Sequence, residues 1–108
     1  MSAGDDAAIR AKVDVLAKVF KGRLHVRYEK MNETFALCQS DSGNEEHWAE
    51  LHRLLHALGG AAGSFGFDEL GAHATFIELR INDMLGQPKH PHDIDEIGQA
   101  LAAIQKAY

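Results

Sequence analysis

Leu51 to Gly66 reads L-H-R-L-L-H-A-L-G-G-A-A-G-S-F-G. With Trp48 ahead of it, this stretch places Leu51, Leu55, Leu58 and Ala62 at steps of three and four, which is one face of a helix. At about 100° per residue, His56 falls roughly 120° from the centre of that face. It therefore points away from the core. Gly60 and Gly63, four and seven residues on, share the side of His56, and Gly59 lies nearer its edge. Each interior glycine costs a helix roughly 1 kcal/mol relative to alanine. Three of them within two turns argue that the surface beside His56 has to stay bare.

The same periodicity extends outward in both directions. Upstream, Ile9, Val13, Leu16, Phe20, Leu24, Tyr28, Met31, Phe35 and Cys38 define one helical face that stays in phase across Gly22. Asp5 or Asp6 supplies a cap. An unbroken helix over this span would run about 50 Å, far longer than the later ones, so a break or kink is predicted near Gly22. Ser40 to Asn44 is a turn by composition, with Asn44 as N-cap of the His56 helix and Glu45 and Glu46 in its first turn. That helix is predicted to end around Ser64 to Gly66.

Downstream, Asp68 and Glu69 open a helix with the stripe Leu70, Ala74, Ile77, Ile81 and Leu85, ending at Gly86. Gln87 to Pro91 forms a loop. Pro91 or Asp93 starts the last helix, with Ile94, Ile97, Leu101, Ile104 and Tyr108 on its stripe. No segment alternates with period two, so no strand is predicted. The expected fold is all-α: an antiparallel four-helix bundle with an additional N-terminal helix or helix extension, forming one domain over residues 1–108.

Composition narrows the partners. A formal net charge of −5 argues against nucleic acid. No apolar run reaches membrane-spanning length, and the acidic start, M-S-A-G-D-D, shows no secretory signal. The single cysteine, Cys38, fits a reducing compartment. A cytoplasmic, monomeric domain is the expectation.

An exposed imidazole is a suitable nucleophile, because the neutral ring keeps a lone pair on one nitrogen. Sequence alone leaves both ring nitrogens as candidates. A metal-binding bundle is the rival reading. His52 and His56 are spaced i,i+4, and His47 and His73 are further candidate ligands. Against it, H-R-L-L-H lacks the glutamate of the H-E-x-x-H zinc motif, and His47 falls on the core side of the wheel. No metal site is expected. A helical adaptor without chemistry is the other rival, and it would have no use for His56.

The run from His56 resembles the signature of histidine phosphotransfer domains, roughly H-x-L-K-G-x-x-x-x-x-G. His56, Leu58, Gly60 and Gly66 match it in place, and Leu70 and Glu78 fit the leucine and glutamate that commonly follow on the next helix. Phe20 and the stripe of the preceding helix also fit, so the resemblance spans about Val13 to Leu85. It implies a four-helix bundle that carries a phosphoryl group on His56. The group would come from an aspartyl phosphate on a receiver domain and pass to another receiver.

The implied partners are response-regulator receiver domains and a hybrid or sensor histidine kinase. The docking face would comprise His52, Arg53, Gly59, Gly60 and Gly63. The lysine common three residues after the histidine is Gly59 here. Arg23, Arg27 and Lys30, on one face of the second helical segment, are candidate substitutes for its charge, with Arg53 one turn before His56. No cofactor of its own is implied, since Mg2+ would sit on the receiver. G-G-A-A-G-S-F-G lacks the G-K-[ST] ending of a nucleotide-phosphate loop, so self-phosphorylation from ATP is not expected.

Overall fold

Trp48, Leu51, Leu55, Leu58 and Ala62 are all fully buried, so the stripe read from the sequence is the spine of the core. Burying each leucine contributes about 1.5–3 kcal/mol. The computed structural model describes residues 3–108, and every regular element among them is a helix. These are α1 (Ala3–Gly22), α2 (Leu24–Ser40), α3 (Glu45–Ser64), α4 (Asp68–Met84) and α5 (Pro91–Ala107). Helices α2 to α5 form the bundle. Each packs on its chain neighbour, and α5 closes the ring against α2. No described helix is long and apolar enough to cross a membrane.

The connections follow from local chemistry. The Asn44 side chain accepts from the backbone N–H of Glu46 at 3.0 Å, capping α3 as its sequence position predicts. The Trp48 indole donates to the carbonyl of Ser42 at 2.9 Å, pinning the α2–α3 turn to the core. Gly86 ends α4 with φ of 75°, a conformation that suits glycine. Glu45, at the start of α3, accepts from the Gly86 N–H at 2.9 Å and pairs with Lys89, which ties the α4–α5 loop to the N-terminal end of α3.

Between α3 and α4 the backbones come close. A Cβ built on Gly71 would lie 3.3 Å from the Gly59 carbonyl oxygen and 3.4 Å from the Gly63 nitrogen. One built on Gly59 would lie 3.0 Å from Thr75 Oγ1. Small residues on both sides therefore set the spacing of this seam.

The N-terminal stripe divides at Gly22. Phe20, Leu24, Tyr28, Met31 and Cys38 enter the core as predicted, and Phe35 packs at its edge. Phe20 sits between Phe65 and Phe67 with ring centroids 5.5 and 5.3 Å away. Ile9, Val13 and Leu16 continue the same face but are 49%, 43% and 53% exposed. The reason is geometric: α3 ends at Ser64 and α4 begins at Asp68, so no other element among the described residues rises beside α1. Arg23 breaks the helix with φ −106° and ψ 6°, as expected near Gly22. The described residues span 56 × 22 × 20 Å, and the long dimension matches α1 and α2 set end to end at 1.5 Å per residue.

Candidate functional site

The α3–α4 seam brings Glu78 to His56. Gly71, Thr75 and Glu78 fall at helical steps on the face of α4 that meets α3. The His56 side chain is 75% exposed and the Glu78 side chain only 13%. His56 Nδ1 lies 2.7 Å from Glu78 Oε1. An ionised carboxylate only accepts, so Nδ1 carries the hydrogen and donates it. The lone pair is then on Nε2, which has no hydrogen-bond partner among the described residues. His52 Nε2 stands 3.6 Å from the same oxygen. One carboxylate thus faces two imidazoles, with the short bond to His56.

The ground beside the ring is open. Ideal Cβ atoms at Gly60 and Gly63 meet nothing within 4 Å. Gly59, a docking candidate from the sequence, is half-buried and turned toward Thr75 and Gly71. Its small size lets the helices approach. A shallow depression of about 500 Å³ crosses the seam, lined by Gly59, Gly63, Gly71, Thr75, Phe76 and Leu79. Phe76 and Leu79 are 62% and 57% exposed. Neither stood out in the sequence, although both are large apolar residues lying off the α4 stripe, and that displacement was the available signal.

The candidate cations are arranged differently from the bare sequence pattern. Arg53 is forked onto Glu50, with Nε to Oε2 at 2.8 Å and Nη2 to Oε1 at 2.6 Å. That hydrogen-bonded pairing raises the Arg53 guanidinium and holds the Glu50 carboxyl low, with Lys30 adding to the latter. Lys30 and Arg27 line a groove with Leu54, on the α2 side of α3. Arg27 also lies 5.5 Å over the Phe20 ring, and Arg23 stands at the α1–α2 junction. The structure therefore groups Arg23, Arg27 and Lys30 along α2, whereas His56 turns toward α4.

The remaining histidines are scattered. His73 lies 6.2 Å from the Tyr108 ring, and His90 is the N-cap of α5. Among the described residues, no group of three or more His, Cys, Asp or Glu side chains is placed to hold a metal ion.

Comparison with known families gives one match. The model of the Hpt domain matches residues 15–107. No curated protein and no solved structure shows significant similarity to the chain.

Proposed function

Because this chain belongs to the histidine phosphotransfer domain family, we propose that His56 is the residue on which it carries a phosphoryl group. The family works in two-component phosphorelays with receiver domains and histidine kinases. The proposal assigns the steps. Nε2 of His56 attacks the phosphorus of an aspartyl phosphate on a receiver. A P–N bond forms, the P–O bond to the aspartate breaks, and its electron pair leaves with the aspartate carboxylate. The reverse step on a second receiver discharges the carrier.

No proton has to leave the imidazole. Nδ1 keeps its hydrogen, and the Glu78 carboxylate at 2.7 Å balances the positive charge that the ring gains on attack. In-line phosphoryl transfer asks mainly for positioning and charge stabilisation. The receiver supplies the aspartate and its Mg2+, so the chain needs no cofactor of its own. Gly60, Gly63, Phe76 and Leu79 form the docking face, with apolar anchors on α4 and open ground on α3. His52 and Arg53 stand at its rim. A cytoplasmic setting follows from such partners.

The observation that carries this reading is the exposed imidazole with Nδ1 held and Nε2 free. Incubation with a phosphorylated receiver should give an acid-labile, base-stable label on the chain. His56→Ala should abolish it. Undiminished labelling of that variant would remove His56 from the reaction.

A further inference from the structure

Among the described residues, nothing covers the apolar face of α1 from Ile9 to Val19. Ile9, Val13, Leu16 and Val19 are each 43% to 53% exposed, in line with the buried Phe20. α1 touches the other helices only sparsely, at its junction with α2, and Phe20 reaches Phe65 and Phe67. An amphipathic helix of five turns normally sets such a face against something. The face runs into a groove of about 360 Å³ at the α1–α2 junction, which Leu16, Val19, Val26 and Phe65 line and Arg23 and Arg27 flank.

Charge along this segment indicates what covers it. Asp5 and Asp6 occupy the first turn of α1, and Lys21 lies in its last. Arg23 and Arg27 follow directly. Written as a heptad, Asp6 and Val13 share one seam position, and Ile9 and Leu16 the other; the same spacing reaches Phe20, which its own core already encloses, and Arg23, at the break just past α1. Antiparallel pairing of two such helices sets Val13 opposite Leu16 and brings Ile9 to the turn of Phe20. It also places Asp6 opposite Arg23 at both ends. Parallel pairing would stack Asp6 on Asp6 and Arg23 on Arg23. A surface that is acidic at one end and basic at the other is complementary to its own two-fold image.

We infer that α1 is a self-association helix. Two copies of this chain pair through α1 in antiparallel orientation, with the acidic first turn of each beside the Arg23–Arg27 edge of the other. The dimer replaces the monomer expected from the sequence. It leaves both His56 rings accessible, because they face α4 on the opposite flank of α3 from α2.

Sedimentation equilibrium of the full chain across roughly three decades of concentration tests this. A mass rising toward twice the chain mass is expected, and a single-chain mass throughout overturns the proposal. Leu16→Glu should raise the dissociation constant at least about tenfold with helicity unchanged. Ile9→Glu serves as a second variant, should the first lose helicity. A dimer that neither substitution weakens overturns the proposal. Orientation is read by mixing Asp6→Cys chains with Arg23→Cys chains under oxidising conditions. Cross-linking between the two kinds of chain supports the antiparallel pair. Preferential cross-linking of Asp6→Cys to itself overturns it. The native Cys38 is buried and does not compete.

Discussion

His56 Nδ1 lies 2.7 Å from Glu78 Oε1, a bond that joins two helices through residues 22 apart in sequence. A hydrogen bond to a charged group contributes about 1.5–3 kcal/mol, and each 1.4 kcal/mol is tenfold in an equilibrium or rate. Glu78→Ala is therefore expected to slow phosphoryl transfer by about ten- to a hundredfold. Glu78→Gln keeps an acceptor oxygen and should lose less. Ring-nitrogen NMR distinguishes this role from a structural one: the wild type should show the Nδ1–H tautomer, and Glu78→Ala a mixture.

Two adjacent glycines should respond in opposite ways. Open space surrounds the ideal Cβ of Gly60, so Gly60→Ala should stabilise the fold by up to about 1 kcal/mol. The Cβ of Gly59→Ala would press on Thr75 Oγ1 at 3.0 Å, and overpacking costs about 1–3 kcal/mol. Urea denaturation of the two variants should give shifts of opposite sign. In transfer assays, Gly60→Leu should be folded but at least about tenfold slower, since its bulk stands where the receiver docks. Gly59→Lys should destabilise, with Thr75→Ala restoring part of the loss.

Tyr28 is 8% exposed, and its hydroxyl has no hydrogen-bond partner among the described residues. Burial, with a contribution from Tyr108, pushes its pKa up. An unpaired buried hydroxyl costs about 1–3 kcal/mol. Tyr28→Phe removes it and should raise the melting temperature by a few degrees, corresponding to about 1 kcal/mol.

Burial pushes the Cys38 thiol from 9.0 up to about 11. The folded protein should resist alkylation at pH 8 and react only on unfolding. A raised folded-state pKa also gives stability a direction. The contribution is complete below pH 9.0 and fades as pH rises toward 11, as the unfolded thiol ionises first. Cys38→Ala should flatten this alkaline decline in a melting series.

Glu45 shows the opposite sign. Its bonds to Lys89 and to the Gly86 N–H hold it below the ordinary 4.5. Its contribution is present above that value and is lost as pH falls through the lowered one. Glu45→Gln should lower the melting temperature at pH 7 and make little difference in stronger acid.

Most of the bundle was legible because burial imposes a helical period on the sequence. The α3 stripe entered the core intact, and the exposed position of His56 followed from its angle on the wheel. Periodicity reveals an apolar face without revealing what covers it. That is why Ile9, Val13 and Leu16 read like Phe20 and Leu24, although α3 and α4 stop short of them. The angle of Gly59 placed it at an edge, but only the position of Thr75 on the next helix turns that edge into a packing contact. The pairing of Arg53 with Glu50 was within reach of an i,i+3 reading. The bond to Glu78 was not, because it depends on how two helices are set side by side.

The end-to-end arrangement of α1 and α2 has a practical consequence for hydrodynamics. The radius of gyration is 16.3 Å, whereas a spherical chain of this length would have about 13 Å. A single copy should tumble, diffuse and elute as a heavier particle would. Frictional measurements calibrated on round standards will therefore overstate its size, and the count of chains per particle has to come from mass.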